Sequence, residues 1–227
     1  MNGLSQQQTA SRGKILLTSL LLSAPGPLVT GIAMMTSQST TQLADFLRRG
    51  MELVAIFIAW WVFRQLQRSP AQAQQERLER LAGLSTAGAM GTSGILLIVL
   101  ALTRLADFTP GGSVTMGLVI AVLGVLTNGW FWRRYRALTR EQYSPVIAAQ
   151  QSLYRAKTSV DLCVVIALAA VAAAPTHPAT RFVDILGSVI VAGYLLWSGI
   201  RMFKPYLGHL RTQMQTWREY VSRRASQ

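Results

Sequence analysis

Seven ionisable side chains stand inside otherwise apolar stretches of this chain, in two groups. They are Asp45, Arg48, Arg49 and Glu52 in the first group, and Arg155, Lys157 and Asp161 in the second. Carboxylates can bind a cation or a proton, whereas a guanidinium only donates hydrogen bonds. Such groups point to ion binding or transport, and we take as site candidates Asp45, Arg49, Glu52, Lys157 and Asp161.

The spacing within each group predicts a helix with one polar face. The first four residues recur at i, i+3, i+4 and i+7, and Lys157 and Asp161 stand one helical turn apart. An ionisable group in mid-bilayer costs about 2.5–3.5 kcal/mol, so these faces should meet each other or water inside a helix bundle. We expect Asp45, Arg49 and Lys157 to form a buried polar centre. Arg48 and Arg155 are expected nearer the interface, with their charges extended towards water.

The whole chain has the composition of a membrane protein. Of its 227 residues, 51% are hydrophobic and 14% charged, against about 25% charged in soluble domains. A membrane helix needs about 20 largely apolar residues. Six segments are candidates: Lys14–Met35, Thr41–Phe63, Leu84–Ala106, Val114–Trp132, Gln150–Ala174 and Phe182–Phe203. We therefore predict an all-α membrane protein with a six-helix transmembrane domain over 14–204, an N-terminal segment over 1–13 and a tail over 205–227.

Two of the predicted spans depend on polar residues for their length. Their uninterrupted apolar parts, Leu53–Phe63 and Leu162–Ala174, are too short to cross a bilayer. Each must therefore include a polar half, Thr41–Glu52 or Gln150–Asp161. This is the reason for expecting the charges inside the membrane.

The placement of Lys and Arg predicts the orientation. The segments 64–83, 133–149 and 205–227 are rich in arginine, and the N-terminal end contributes Arg12 and Lys14, whereas Arg181 is the only Lys or Arg residue in the opposite loops. By the positive-inside rule both termini are cytoplasmic, in a plasma membrane of the bacterial inner-membrane type. The net charge of +13 then reflects topology and contact with an anionic inner leaflet. A nucleic-acid partner is not expected.

Three further features of the sequence predict details of the fold. Pro25 and Pro27 should break the first span, either as a packing kink or along a transport path. Glycines in spans three, four and six should allow close helix packing. The tail should form an amphipathic helix, lying on the inner leaflet or paired with a second copy.

Cys163 is the only cysteine, and neither His177 nor His209 has a second ligand at metal spacing. No nucleotide-binding loop or nucleophile–base set suggests an enzyme, and no cofactor is expected.

Several short motifs resemble the transmembrane domain of the cation diffusion facilitator (cation efflux) family. They are Ser39–Asp45 at the start of span two, Ser144–Ala149 before span five, Phe182–Ile185 at the start of span six and Leu196–Arg201 near its end. The resemblance covers roughly residues 12–210. It implies a six-helix bundle, a homodimer and the exchange of a divalent cation for protons.

The resemblance also implies four metal ligands, in pairs at i and i+4 on spans two and five. Carried over, they fall on Asp45, Arg49, Leu153 and Lys157, so only Asp45 keeps a metal-binding side chain. We expect zinc to bind weakly or not at all there. In the family's helix register, an ion-pair cluster of Asp45 with Lys157 and Arg49 with Glu52 would take the place of the metal.

Two functional hypotheses follow. The first is a divergent cation-efflux-type secondary transporter, with proton coupling as one option and Asp45, Glu52 or Asp161 as the binding carboxyl. The second is a transport-inactive relative that acts as a structural or regulatory membrane subunit. The lost ligands favour the second hypothesis, and the retention of so many buried charges favours the first.

Overall fold

The structure, a computed structural model, describes residues 2–37, 40–68, 71–106, 114–173, 186–187 and 189–204. Its helices are α1 (Asn2–Ser23), α2 (Pro25–Ser37), α3 (Thr40–Leu66), α4 (Gln72–Ala106), α5 (Val114–Glu141) and α6 (Pro145–Ala173). Residues 189–204 are also helical, and we call them α7. The predicted all-α class is confirmed, with no strand in the described part of the chain. The predicted tail helix lies outside the described residues.

The first predicted span is divided into α1 and α2 at the two prolines. The Ala24 amide still donates to the Leu20 carbonyl at 3.0 Å, but Pro25 and Pro27 have no amide hydrogen to continue the ladder. The Thr30 hydroxyl donates to the carbonyl oxygens of Gly26 and Pro27 at 3.0 and 3.2 Å. The predicted break is therefore present.

An aromatic cluster joins α5 and α6 in the core of the bundle. The rings of Tyr135 and Tyr154 stack with centroids 5.4 Å apart, and Phe131 lies 4.9 Å from Tyr154. The Ser19 and Tyr135 hydroxyls share a hydrogen bond of 2.8 Å. Aromatic pairs contribute beyond the area that they bury, so this cluster fixes α1, α5 and α6 relative to one another.

A buried arginine ties α1 to the end of α5. Arg12 donates through Nη2 to the carbonyl oxygens of Leu138 at 3.3 Å and Gln142 at 2.5 Å. The last carbonyls of a helix lack partners within the helix and carry partial negative charge. The Arg12 side chain therefore caps α5 and brings the N-terminal half of α1 to the end of α5.

Glycines allow α4 and α7 to pack closely, as the sequence predicted. A Cβ added at Gly199 would lie 3.2 Å from the Ala87 carbonyl oxygen and 3.2 Å from the Gly91 nitrogen. A Cβ at Gly94 would lie 3.0 Å from the Ala192 carbonyl oxygen. Backbone atoms cannot move aside as a side chain can, so only small residues fit along this contact.

The outward face of the bundle is strongly apolar. Exposed large side chains include Leu28 and Ile32 on α2, Ile95 and Leu102 on α4, Val119 and Leu126 on α5, and Ile190 and Ile200 on α7. So many exposed large apolar side chains are unusual for a soluble protein. Within the described ranges, two stretches are long and apolar enough to cross a membrane: Thr9–Ile32, across the α1–α2 break, and Gln72–Leu102 of α4.

Candidate functional site

A cavity of about 580 Å³ opens where the α1–α2 break faces α3, α5 and α6. Its charged lining residues are Arg48, Arg49 and Glu52 from α3 and Lys157 and Asp161 from α6. Ser23, Gly26 and Pro27 line it from the break. The two polar faces predicted from residue spacing therefore border the same space.

Glu52 links the charged residues of α3 and α6. Its Oε1 accepts from Arg48 Nη1 at 3.0 Å, and its Oε2 lies 3.4 Å from Lys157 Nζ. The side chains of Arg48, Glu52 and Lys157 are 12%, 8% and 14% exposed. One carboxylate thus connects α3 to α6, and the low exposure makes each contact stronger than a surface ion pair.

The expected depth of Arg48 near the membrane interface stays a prediction, but its side chain lines the cavity beside Glu52 and is 12% exposed. Arg48 stands one turn before Glu52 on the continuous helix α3, so the same face carries both side chains into the cavity. The neighbouring carboxylate gives the guanidinium a partner that it would otherwise seek in water. Arg155, by contrast, is exposed outside the cavity, where Nε donates to the Tyr194 hydroxyl at 2.7 Å.

The two ion pairs predicted from the helix register are not tested. Asp45 belongs to α3, but its side chain lies outside the described residues, so its pairing with Lys157 stays a prediction. Arg49 lines the cavity, and its Nη1 lies 3.5 Å from where a Cβ on Gly26 would be. Its pairing with Glu52 also stays a prediction. The contact between Lys157 and Glu52 was not anticipated.

Asp161 lies one turn after Lys157 on α6 and is held by a side chain of α5. The Asn128 amide Nδ2 donates to Asp161 Oδ2 at 2.6 Å. A Cβ on Gly124 would come within 2.8 Å of the same oxygen, so the lack of a side chain at Gly124 makes room for the carboxyl. Among the described side chains, Asp161 has this amide partner and no ion pair.

Sequence reasoning missed Asn128 and Gly124 as site residues. Asn128 could have been recognised as a candidate from the sequence. A side-chain amide inside the apolar stretch Val114–Trp132 needs a hydrogen-bonding partner. Gly124 carried no such signal, since glycines that only improve helix packing look the same in sequence.

Ser23, which lines the cavity, is linked to a tyrosine that lies beside Lys157. The Ser23 and Tyr154 hydroxyls share a hydrogen bond of 3.2 Å, and Tyr154 also donates to the Ser19 carbonyl oxygen at 3.4 Å. The Lys157 ammonium lies 5.1 Å from the centroid of the Tyr154 ring. That geometry suits a cation–π contact, so Tyr154 helps to fix the lysine that pairs with Glu52.

Two of the positions expected for metal ligands carry side chains that do not ligate a metal here. Leu153 is buried and apolar, and Lys157 is engaged with Glu52. Within the described ranges, no three His, Cys, Asp or Glu side chains come together as a metal site would require. A tetrahedral zinc site needs four such ligands, or three and a water molecule.

Comparison with known proteins gives one result. The family model described as the cation efflux transmembrane domain matches residues 16–210, which contain every charged residue of the cavity. No curated protein matches the chain. The resemblance noted from the sequence motifs is therefore confirmed over most of the chain.

Proposed function

This chain belongs to the cation efflux family, which places it among integral membrane proteins of cation transport, and from that premise we propose that it is a secondary transporter. A cation passes through the cavity between α3, α5 and α6, and protons are exchanged at the cavity carboxyls. The observation that carries this proposal is the cavity itself, with five ionisable side chains in the interior of an apolar bundle. Such groups are costly in a membrane and mark transport pathways.

The proposal includes a membrane arrangement. It has six spans, formed by α1–α2, α3, α4, α5, α6 and the segment that ends in α7, with both termini in the cytoplasm. The arginine asymmetry between opposite loops supports it. We also propose a homodimer, in line with the family resemblance.

The α1–α2 break fits a transport path. Gly26 and Pro27 line the cavity, and the Arg49 side chain packs against Gly26. A broken helix is tolerated in a membrane where its backbone borders protein or a water-filled space. In this proposal the break lets α2 move relative to α1, so that the cavity opens to one side at a time.

The second candidate function is a transport-inactive subunit. It is favoured by the state of Glu52, which is held by both Arg48 and Lys157. Neutralised in this way, the carboxylate serves as a bridge between helices. A subunit of this kind would keep the bundle and its interfaces but have no substrate path.

Flux measurements in liposomes separate the two candidates. Purified protein is reconstituted with a pH-sensitive dye inside, and zinc, manganese, potassium or an organic ammonium compound is added outside. A transporter gives a protein-dependent pH change with at least one cation. Asp161→Asn should reduce that signal strongly, because it removes a carboxyl that faces the cavity.

The matched control is Glu76→Gln, which removes a carboxyl from the exposed first part of α4, away from the cavity. It should leave the flux unchanged. If no cation in the panel produces a protein-dependent signal, the transporter proposal is wrong and the inactive subunit is favoured.

A further inference from the structure

The cavity has both charged and apolar lining residues. The charged ones are Arg48, Arg49 and Glu52 on α3 and Lys157 and Asp161 on α6. The apolar lining comes mainly from α4, α5 and α6, with Leu97, Leu100, Ile120, Val160, Val164 and Leu168. Glu52 is engaged with Arg48 and Lys157, so Asp161 is the described cavity carboxyl that has no ion pair.

The size and lining suit a small organic molecule better than a bare metal ion. Pockets for organic ligands measure about 300–1,000 Å³ and are mostly apolar, with a few placed polar groups. The cavity here measures about 580 Å³. A transition-metal ion needs several converging ligands, whereas an ammonium group needs one carboxylate and a few hydrogen-bond acceptors.

We infer that this cavity binds a small organic ammonium compound, with the ammonium group at Asp161 and the apolar body against α4, α5 and α6. This inference rests on the proposed transport function, since it names the substrate class of the same cavity. Asn128 donates to one oxygen of Asp161 and leaves the carboxyl further lone pairs for the ligand. Gly124 provides the space in which the carboxyl sits.

The other charges of the cavity favour a single positive charge on the ligand. Lys157 stands one turn before Asp161 on α6, and Arg48 and Arg49 line the cavity from α3. Coulomb repulsion from these groups is twice as large for a divalent ion as for a monovalent one. A zwitterion has the same ammonium group and adds a carboxylate that would face the arginines.

Calorimetry on purified full-length protein in detergent tests the inference with four probes. 2-Phenylethylammonium carries the charge and an apolar ring, and 2-phenylethanol is its neutral analogue. Phenylalanine is a zwitterion with the same ring, and zinc chloride represents the divalent metal. We expect 2-phenylethylammonium or phenylalanine to bind at least about tenfold more tightly than the alcohol, because a charge-assisted bond to Asp161 is lost in the alcohol. The better of the two identifies the monocation or the zwitterion.

Variants assign the binding to the proposed carboxyl. Asp161→Asn should lower the affinity for the ammonium probe about tenfold or more and leave that for the alcohol unchanged, whereas Glu76→Gln should change neither. Equal binding of the ammonium probe and the alcohol to the unmodified protein would overturn the inference, even if Asp161→Asn failed to fold. Zinc binding in the micromolar range, lost in Asp45→Ala, would overturn it in favour of a metal site.

Failure of this inference differs from failure of the transport function. Ammonium binding without flux of the same probe in liposomes would keep the site and reject transport. Metal flux without ammonium binding would keep transport and reject the substrate class.

Discussion

At the scale of single residues, the most informative contact is that of Glu52 with both Arg48 and Lys157. By the family resemblance, Lys157 occupies a position where the family has a metal ligand. In the structure its partner is the carboxylate of Glu52 on α3. The cation beside Glu52 is thus the ammonium group of Lys157, a part of the protein itself. Among the described carboxylates that line the cavity, Asp161 is the one without an ion pair.

The pairing of Lys157 can be measured with two double-mutant cycles on thermal stability in detergent. Lys157→Met and Glu52→Gln should each lower the melting temperature, because removing one partner of a buried ion pair costs about 3–5 kcal/mol. The double variant should lose less than the sum, with a coupling of about 1 kcal/mol or more. A parallel cycle of Lys157→Met with Asp45→Asn tests the pair predicted from sequence. Additivity within about 0.5 kcal/mol in the first cycle would contradict the Glu52 contact.

A methyl group at Gly124 should disturb the site without removing any charge. Its Cβ would lie 2.8 Å from Asp161 Oδ2 and 3.0 Å from Cγ, which forces the carboxyl away from Asn128. Gly124→Ala should therefore weaken ammonium binding and flux about as strongly as a lost hydrogen bond would, by several-fold.

Gly129→Ala is the control on the same helix, since its Cβ would meet only Thr158 Cγ2 at 3.7 Å, an ordinary contact. It should bind the ammonium probe like the unmodified protein. Equal effects of the two substitutions would mean that Gly124 matters for α5 as a helix and has no particular role beside Asp161.

At the scale of elements, the contact between α4 and α7 depends on the absence of side chains. Gly199→Ala would place a methyl group 3.2 Å from backbone atoms of Ala87 and Gly91, so the helices must separate. Overpacking of this kind typically destabilises by about 1–3 kcal/mol, and the melting temperature in detergent should fall.

Gly193→Ala on the same helix provides the comparison, because a Cβ there would have no neighbour within 4 Å. It should leave stability unchanged or raise it slightly, since alanine is the better helix former. A fall in melting temperature for Gly193→Ala as large as that for Gly199→Ala would show that the close approach of the backbones is not the cause.

At the scale of the whole molecule, the arginine distribution predicts the orientation in the membrane. Single cysteines placed at positions 38 and 110 in a Cys163→Ser background should react with a membrane-impermeant thiol reagent from the outside only. A cysteine at position 136, in the arginine-rich stretch at the end of α5, should react only after the membrane is opened. Labelling of positions 38 and 110 from the cytoplasmic side alone would contradict the six-span arrangement.

The amino-acid sequence by itself determined the features that belong to a single segment of the chain. The all-α class, the break at Pro25 and Pro27 and the polar faces of α3 and α6 depend on composition, backbone chemistry and residue spacing within a single segment. The family also follows from short motifs in order, now matched over residues 16–210.

Only the tertiary structure decided which charges meet. Glu52 and Lys157 come from different helices, and Asn128 reaches Asp161 across the α5–α6 contact. These distances depend on the rotation and depth of each helix relative to its neighbour, which in turn depend on packing at sites such as the Tyr135–Tyr154 stack and the glycine contact of α4 with α7. Rotating a helix by one residue position turns it by about 100° and presents a different face to its neighbour. Residue spacing within one helix therefore could not show that Arg48 lines the cavity or that Glu52 binds Lys157.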